Sequence, residues 1–237
     1  MSLAFPIVRH PAPETARPIL VSVPHYGTQP LPGIAADDYR EPSFATFAYG
    51  FADTFAADVY GELHEHGATV LATPLSRMFV DVNRRRDDFE HHEGAVRSRR
   101  GAHGDAILLD GHTGSPRRMK DHQVIIGTCH DTSCAPALAA AASGVFARHG
   151  FDVHENVSGY TGGNVVATFG RPRTGVHALQ LEINAALLMT STADEFIARV
   201  RRGEIPERHA ANIARIRACL RDVVAALPVA LEACRER

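Results

Sequence analysis

Four features that define other classes of protein are missing from this sequence. No apolar run reaches the roughly 20 residues that a transmembrane helix requires, so we do not expect a membrane protein. The four cysteines are too few for a disulfide framework in 237 residues, which favours a reducing compartment. A formal net charge of −2 gives no reason to expect nucleic acid or an anionic membrane as the main partner. The start of the chain also lacks the basic and apolar regions of a signal peptide, so we expect a cytoplasmic protein.

The composition is that of an ordinary globular protein. Apolar residues make up 45% of the chain and charged residues 22%. A chain of this length can bury a substantial core. No linker, repeat or low-complexity segment divides it. We therefore expect one domain that spans residues 1–237.

Short apolar runs rich in β-branched residues alternate with helical patterns along the chain. The strand-like runs cover residues 19–23, 68–72, 78–82, 106–110, 123–127 and 176–183. The helical patterns cover residues 43–66, with a candidate break at Gly50, and residues 135–148, 192–202 and 206–227. This alternation predicts an α/β protein in which helices cover a central sheet.

Polar side chains stand at the ends of several predicted strands. His25 follows the first strand, His112 follows the strand at 106–110, and Glu182 interrupts the last one. Burying such groups is costly unless something satisfies them. Open α/β sheets bind ligands at the carboxyl ends of their strands, so we expect these residues to share one pocket. Two imidazoles, a carboxylate and a nearby arginine are the parts of a zinc hydrolase.

Each of these residues also has an ordinary structural interpretation. His25 could simply cap a strand end by hydrogen bonds. Asp110 lies two residues before His112 and on the same face of the strand, so it could orient His112 or only cap the next turn. Glu182 could act as a general base beside a metal or form a structural ion pair.

Asn83 and Arg84 end the run at residues 78–82 and suggest a binding role. An arginine grips a carboxylate through two parallel N–H donors, and the asparagine adds another donor. The pair is therefore a candidate anchor for an acidic substrate. Alternatively, Arg84 pairs with Asp87 or Asp88 in the charged segment that follows.

Four segments, in order along the chain, resemble the motifs of the N-formylglutamate amidohydrolase family. They cover residues 22–27, 76–84, 110–113 and 177–184. The resemblance implies a three-layer αβα fold with a central mixed sheet, of the phosphorylase/hydrolase-like type found in zinc carboxypeptidases. It implies one catalytic Zn²⁺ per chain. The implied reaction is hydrolysis of N-formyl-L-glutamate to formate and L-glutamate, a step of histidine degradation.

The same resemblance implies roles for individual residues. His25 and His112 would be zinc ligands. Thr28, three residues after His25, has no carboxylate, so an acidic third ligand must come from elsewhere. Asp53, inside the first predicted helix, aligns best with an acidic position of the family. The alternatives are Asp37, Asp38 and Glu41.

The remaining roles concern catalysis and substrate binding. By resemblance, Glu182 is the general base and Arg77 stabilises the developing oxyanion. The positions that would bind or approach the substrate are Asn83, Arg84, Gly162 and Gly163.

Two departures from the family pattern leave the substrate open. Tyr26 and Thr113 stand where the family usually has serine, and Tyr26 is expected to place a phenol at the mouth of the pocket. One alternative is a carboxypeptidase- or aminoacylase-like zinc hydrolase with a different acyl-amino-acid or peptide substrate. Another is a non-catalytic relative that binds an acidic metabolite. In each case the expected partner is a small molecule.

Overall fold

A mixed seven-stranded sheet forms the centre of the computed structural model, which describes residues 6–30, 32–33, 48–78, 81–83 and 105–235. The strands are β1 (Ile7–Arg9), β2 (Ile19–Val23), β3 (Thr69–Ala72), β4 (Ala106–Gly114), β5 (Val124–Gly127), β6 (Val153–Glu155) and β7 (Val176–Asn184). Their order across the sheet is β1-β3-β2-β4-β7-β5-β6. β1 runs antiparallel to β3 and β5 antiparallel to β7, while the other neighbours are parallel.

Helices cover both faces of this sheet. They are α1 (Ala56–Tyr60), α2 (Pro116–Met119), α3 (Pro136–Arg148), α4 (Gly163–Phe169), α5 (Ala193–Arg201) and α6 (Ala210–Arg235). Helices α1 and α3 pack against α6 on one side, and α4 packs against β4 and β7 on the other. The mixed sheet and its helical layers confirm the predicted three-layer α/β class. Within the described ranges, no helix combines the length and apolar character needed to cross a bilayer.

Alternate residues of the central strands face different core clusters, as the two-residue repeat of a strand requires. The larger cluster, under α1, α3 and α6, includes Ile19, Val21, Ile107, Leu109, Leu179 and Leu181. The smaller cluster, under α4, includes Leu20, Leu108, Ala178, Val165, Val166 and Phe169. The face of the smaller cluster is apolar only at the amino ends of β4 and β7. Towards their carboxyl ends it carries Asp110, His112, Gln180 and Glu182.

Tyr60 joins β4 to β7 from the face of the larger cluster. Its buried hydroxyl lies 3.1 Å from the His112 carbonyl oxygen and 3.2 Å from the Leu181 carbonyl oxygen. The ring sits directly behind Gly111, where an added Cβ would lie 2.8 Å from a ring carbon. Gly111 therefore lets a large aromatic side chain approach the backbone beside His112.

The predicted helix at residues 43–66 is wrong over its described part. Only short helical pieces occur there, among them α1 and a 3₁₀ helix at Leu63–His66, and Phe55 has a positive φ of 56°. The backbone N–H of Asp53 donates to the His25 carbonyl, 2.9 Å away, instead of to a helical partner. This bond holds Asp53 in a turn at the end of β2 rather than inside a helix.

The predicted strand at residues 78–82 is also wrong where the structure describes it. Met78 and Val82 lie in turns and Asp81 lies outside any regular element. The Asp81 carboxylate accepts a hydrogen bond from the Asn83 backbone N–H at 3.1 Å, a local bond that competes with strand pairing. The other predicted strands are present, and β4 and β7 extend beyond their predicted ends.

We predict opposite stability effects for two glycine-to-alanine substitutions. Gly111→Ala should lower the free energy of unfolding by roughly 1–3 kcal/mol, because the new methyl group overlaps the Tyr60 ring. Gly144→Ala is the matched control in α3, where the nearest atom to an added Cβ is a flexible arginine end at 3.6 Å. It should raise stability by about 0.5–1 kcal/mol. Urea unfolding followed by circular dichroism measures both; equal effects would contradict the packing described here.

Candidate active site

A cleft of about 550 Å³ opens at the carboxyl ends of β2, β4 and β7. His25, Asp53, Arg77, His112 and Glu182 all line it. His112 and Glu182 are direct neighbours in the register between β4 and β7. The structure therefore brings together residues that are as many as 157 positions apart in sequence (25 to 182). The shared pocket expected from the sequence is present.

His25, Asp53 and His112 form a compact group of candidate metal ligands. One ligand atom from each lies within 4.8 Å of the others. The Nδ1 atoms of His112 and His25 lie 2.7 Å and 3.8 Å from the same Asp53 oxygen. Both imidazoles therefore turn the same ring nitrogen towards one carboxylate. Nitrogen and oxygen donors of this kind are those that zinc takes in hydrolases.

A second carboxylate holds the far side of each imidazole. His25 Nε2 lies 2.7 Å from Asp81 Oδ1, and His112 Nε2 lies 3.0 Å from Asp110 Oδ2. A carboxylate only accepts hydrogen bonds, so Nε2 is the donor to Asp81 and to Asp110, and the Asn83 amide nitrogen also lies 3.1 Å from His112 Nε2. This is the usual support of a metal-binding histidine, which fixes the ring and directs its other nitrogen to the ion. Of the two interpretations open for Asp110, the contact with His112 is the one that the structure shows.

Two local bonds hold the Asp53 turn against the strand ends. The Asp53 N–H donates to the His25 carbonyl at 2.9 Å. The Thr113 hydroxyl donates to the Thr54 carbonyl at 2.8 Å. Thr113 thus keeps the hydroxyl of the serine that it replaces, and the hydroxyl secures the third candidate ligand.

Tyr26, the other departure from the family pattern, does not line the cleft. Its side chain is partly buried and packs against the larger core cluster. The expectation that its phenol stands at the mouth of the pocket is therefore wrong.

Charges inside the cleft shift the pKa values of both His112 and Asp53. Burial works against a charged His112, yet the Asp110, Asp53 and Glu182 carboxylates raise its pKa well above the ordinary value. Burial also works against a charged Asp53, but His112, His25 and Arg77 hold its pKa below the ordinary value. Both shifts favour the charged forms, as expected for an imidazole next to carboxylates. Metal binding at His112 Nδ1 would require that this nitrogen carry no proton.

Glu182 is a buried carboxylate held by a neighbour on its own strand. Burial raises its pKa to about 8, although His112 opposes the shift. Gln180 Nε2 donates to Glu182 Oε1 at 3.0 Å, and Gln180 Oε1 accepts from the Gly162 N–H at 3.0 Å. Gln180 therefore fixes both Glu182 and the glycine turn before α4. A carboxyl group with a raised pKa beside a cleft is suited to proton transfer.

Arg77 is engaged with acidic groups beside the candidate ligands. Its guanidinium lies 2.6 Å from Asp81 Oδ2 and 3.8 Å from Asp53 Oδ1. It also lies 3.0 Å from His25 Nδ1, which accepts this bond. Arg77 is therefore placed next to the candidate metal ligands His25 and Asp53.

The residues predicted to bind the substrate do not all lie in the same part of the protein. Asn83 Nδ2 donates to Asp110 Oδ2 at 3.1 Å, and Asn83 Oδ1 accepts from the Val165 N–H at 2.9 Å. Asn83 thus links β4 to α4 as well as lining the cleft. Gly163 lines the cleft and begins α4 with a φ of 66°. The Arg84 prediction and the alternative ligands Asp37, Asp38 and Glu41 lie outside the described residues.

Sequence reasoning missed the roles of two residues, Asp81 and Gln180. Asp81 supports His25 from 56 positions away, a separation over which the sequence gives no pairing signal. From the sequence, Gln180 could be recognised only as a residue on the same strand face as Glu182. Its bridge to Gly162 depends on a turn whose placement needs the folded structure.

A second group of possible metal ligands, His122, Asp152 and His154, lies near the starts of β5 and β6. Its Asp152 side chain is 58% exposed, whereas that of Asp53 is 11% exposed. None of the three lines the cleft. The buried group of His25, Asp53 and His112 is therefore the candidate for a catalytic ion.

Solved structures share this fold. The N-formylglutamate amidohydrolase from Ralstonia eutropha JMP134 has 19% sequence identity and a TM-score of 0.72, with 98% of this chain and 99% of that chain covered. A gene product from Agrobacterium tumefaciens has 17% identity and a TM-score of 0.58, with 92% and 91% covered. At these identities the likeness establishes the fold. The fold and the cleft together define an α/β protein with a candidate metal site at the carboxyl ends of its central strands.

Sequence comparison identifies the family. The family model for N-formylglutamate amidohydrolase matches residues 17–94 and 90–189. The chain therefore belongs to the N-formylglutamate amidohydrolase family. It is 27% identical to an N-formylglutamate deformylase of Pseudomonas aeruginosa, covering 74% of this chain and 84% of that protein. It is 24% identical to one of Pseudomonas putida, covering 74% and 83%.

We predict that Asp81→Asn weakens zinc binding about 10- to 100-fold, because His25 loses its anionic hydrogen-bond acceptor. Competition against a chromogenic chelator measures the affinity. Asp222→Asn is the matched control, since Asp222 also pairs with a histidine, His149, at 2.8 Å but outside the cleft. The control should bind zinc as the unmodified protein does. Equal affinities for all three proteins would contradict the support assigned to Asp81.

Proposed function

We propose that this protein is a zinc-dependent amidohydrolase that cleaves N-formyl-L-glutamate to formate and L-glutamate. The observation that carries the proposal is the buried group in which His25 and His112 both turn Nδ1 to Asp53. The names of the Pseudomonas relatives support the substrate. We further propose that it acts as one domain, in the cytoplasm, in histidine degradation.

The candidate ligands fit a zinc ion by their chemistry. Two imidazole nitrogens and one carboxylate oxygen make a three-ligand set of the kind that zinc hydrolases use. The protonated Nε2 atoms leave both Nδ1 atoms as the coordinating positions. We assign His25, Asp53 and His112 as the residues that would hold one Zn²⁺ per chain. When bound, the ion supplies Lewis-acid polarisation of the amide carbonyl and acidifies the attacking water.

Glu182 is the residue proposed to move the proton. Its carboxylate would accept a proton from the attacking water as the water oxygen bonds to the formyl carbon. It would then deliver that proton to the departing nitrogen as the carbon–nitrogen bond breaks, leaving formate and the free amino group. Its burial and its bond to Gln180 hold the carboxylate in place for both transfers.

Arg77 is proposed to stabilise the negative charge that develops on the carbonyl oxygen. Its guanidinium already lies beside His25 and Asp53, so little rearrangement is needed. A donor aimed in advance at such a charge can contribute roughly 3–4 kcal/mol to transition-state stabilisation. The substrate is proposed to be bound or closely approached by Asn83, Arg84, Gly162 and Gly163.

The first test of the function is catalysis itself. The zinc-loaded protein should release formate from N-formyl-L-glutamate. Exhaustive chelation should abolish the activity, and added Zn²⁺ should restore it, because polarisation of the amide depends on the ion. A formate-coupled assay with metal analysis measures both quantities. Full turnover by protein shown to be free of metal would refute the metal dependence.

The second test isolates the proposed base. Glu182→Gln should keep zinc at one equivalent but lower kcat roughly 100- to 10,000-fold, because an amide cannot accept the proton. Glu195→Gln is the control, since Glu195 belongs to the capping box at the start of α5, outside the cleft. Its kcat should stay at the level of the unmodified enzyme. A Glu182→Gln variant with unimpaired kcat would assign the base elsewhere.

A further inference from the structure

We infer that Arg118 forms a binding site for the side-chain carboxylate of an acidic substrate. The inference rests on the proposed function and extends it, since it names the residue that selects glutamate over neutral amino acids. An N-acyl glutamate carries two carboxylates, one beside the scissile amide nitrogen and one at the end of the side chain. A cation of the cleft that is not already paired would suit one of them.

The argument begins with the cations of the cleft. Three arginines in the described part of the chain line it, namely Arg77, Arg117 and Arg118. Arg77 is held by Asp81 and Asp53. Arg117 forms an ion pair with Asp194 at the rim. Among the described residues, no carboxylate lies within ion-pair distance of Arg118, so its charge is available to a ligand.

The position of Arg118 in the fold is well defined. It lies on α2, which begins directly after β4, the strand that carries His112. The Arg118 and Met119 N–H groups donate to the Ser115 carbonyl at 3.0 and 2.9 Å, and Met119 is fully buried against Gly114. The backbone of this turn is therefore anchored. The Arg118 side chain can therefore adjust to a substrate while its backbone stays fixed.

Tyr160 is affected electrostatically by both Arg118 and the proposed base, Glu182. Burial raises the pKa of the Tyr160 phenol, the Glu182 carboxylate raises it further, and the Arg118 guanidinium lowers it. Tyr160, Arg118 and Glu182 all line the same cleft. A substrate could place its amide near Glu182 and its side-chain carboxylate near Arg118.

The experiment compares a charged substrate with its neutral isostere. The unmodified zinc enzyme should prefer N-formyl-L-glutamate over N-formyl-L-glutamine in kcat/KM. Arg118→Gln should reduce this preference about 10- to 100-fold, as expected for loss of a hydrogen bond between charged groups. The reduction should arise mainly from the acidic substrate, and hydrolysis of N-formyl-L-glutamine should be nearly unchanged.

Arg117→Gln is the matched control, because it removes the same charge one position away from an arginine already paired with Asp194. It should leave the preference unchanged. A preference that survives Arg118→Gln, or that falls equally in both variants, would overturn the assignment.

A binding measurement separates this inference from the proposed function. Calorimetry compares L-glutamate with L-glutamine on the zinc-loaded protein and on Arg118→Gln. If the unmodified protein fails to hydrolyse N-formyl-L-glutamate, the proposed function fails, but a glutamate preference lost in Arg118→Gln still supports the site. Equal binding of both amino acids by the unmodified protein would refute the site.

Discussion

The hydrogen bonds from two buried imidazoles to carboxylates organise this cleft. Asp81 and Asp110 each accept a hydrogen bond from an Nε2 atom, which leaves His25 and His112 with Nδ1 turned to Asp53. A neutral imidazole can coordinate through either nitrogen, so this choice decides where an ion can bind. The choice is made by residues that do not themselves belong to the candidate ligand set.

The cleft exists because one face of the sheet changes character along its strands. On β4 and β7 the same face passes from Leu108 and Ala178, packed under α4, to His112 and Glu182. The opposite face is mostly apolar, with residues such as Ile107, Leu109, Leu179 and Leu181, and packs against the larger cluster. The apolar part of β4 and β7 therefore supplies packing that keeps the polar part of the same two strands in register. Burying several charged groups is tolerated because they satisfy one another.

The sequence predicted what depends on local pattern. Strands such as β2 and β7 follow from runs of apolar and β-branched residues, and the polar residues at their ends converge because parallel strands share an edge. It failed where a distant partner overrides the local pattern. The apolar spacing around Asp53 is helical, but a bond to the His25 carbonyl breaks the helix. The run before Asn83 resembles a strand, but Asp81 is held by hydrogen bonds to His25 and Arg77. β1 and β6, at three residues each, are too short to show a period.

The buried phenol of Tyr60 has a further consequence. It bridges the carbonyls of His112 and Leu181 from the apolar side of the sheet, so it helps set the spacing between the strand that carries a candidate ligand and the strand that carries the candidate base. Substitutions among its packing neighbours could therefore shift the relative placement of His112 and Glu182 without meeting the substrate. Directed evolution of this protein could therefore change its reactivity through substitutions at buried positions as well as at the rim of the cleft.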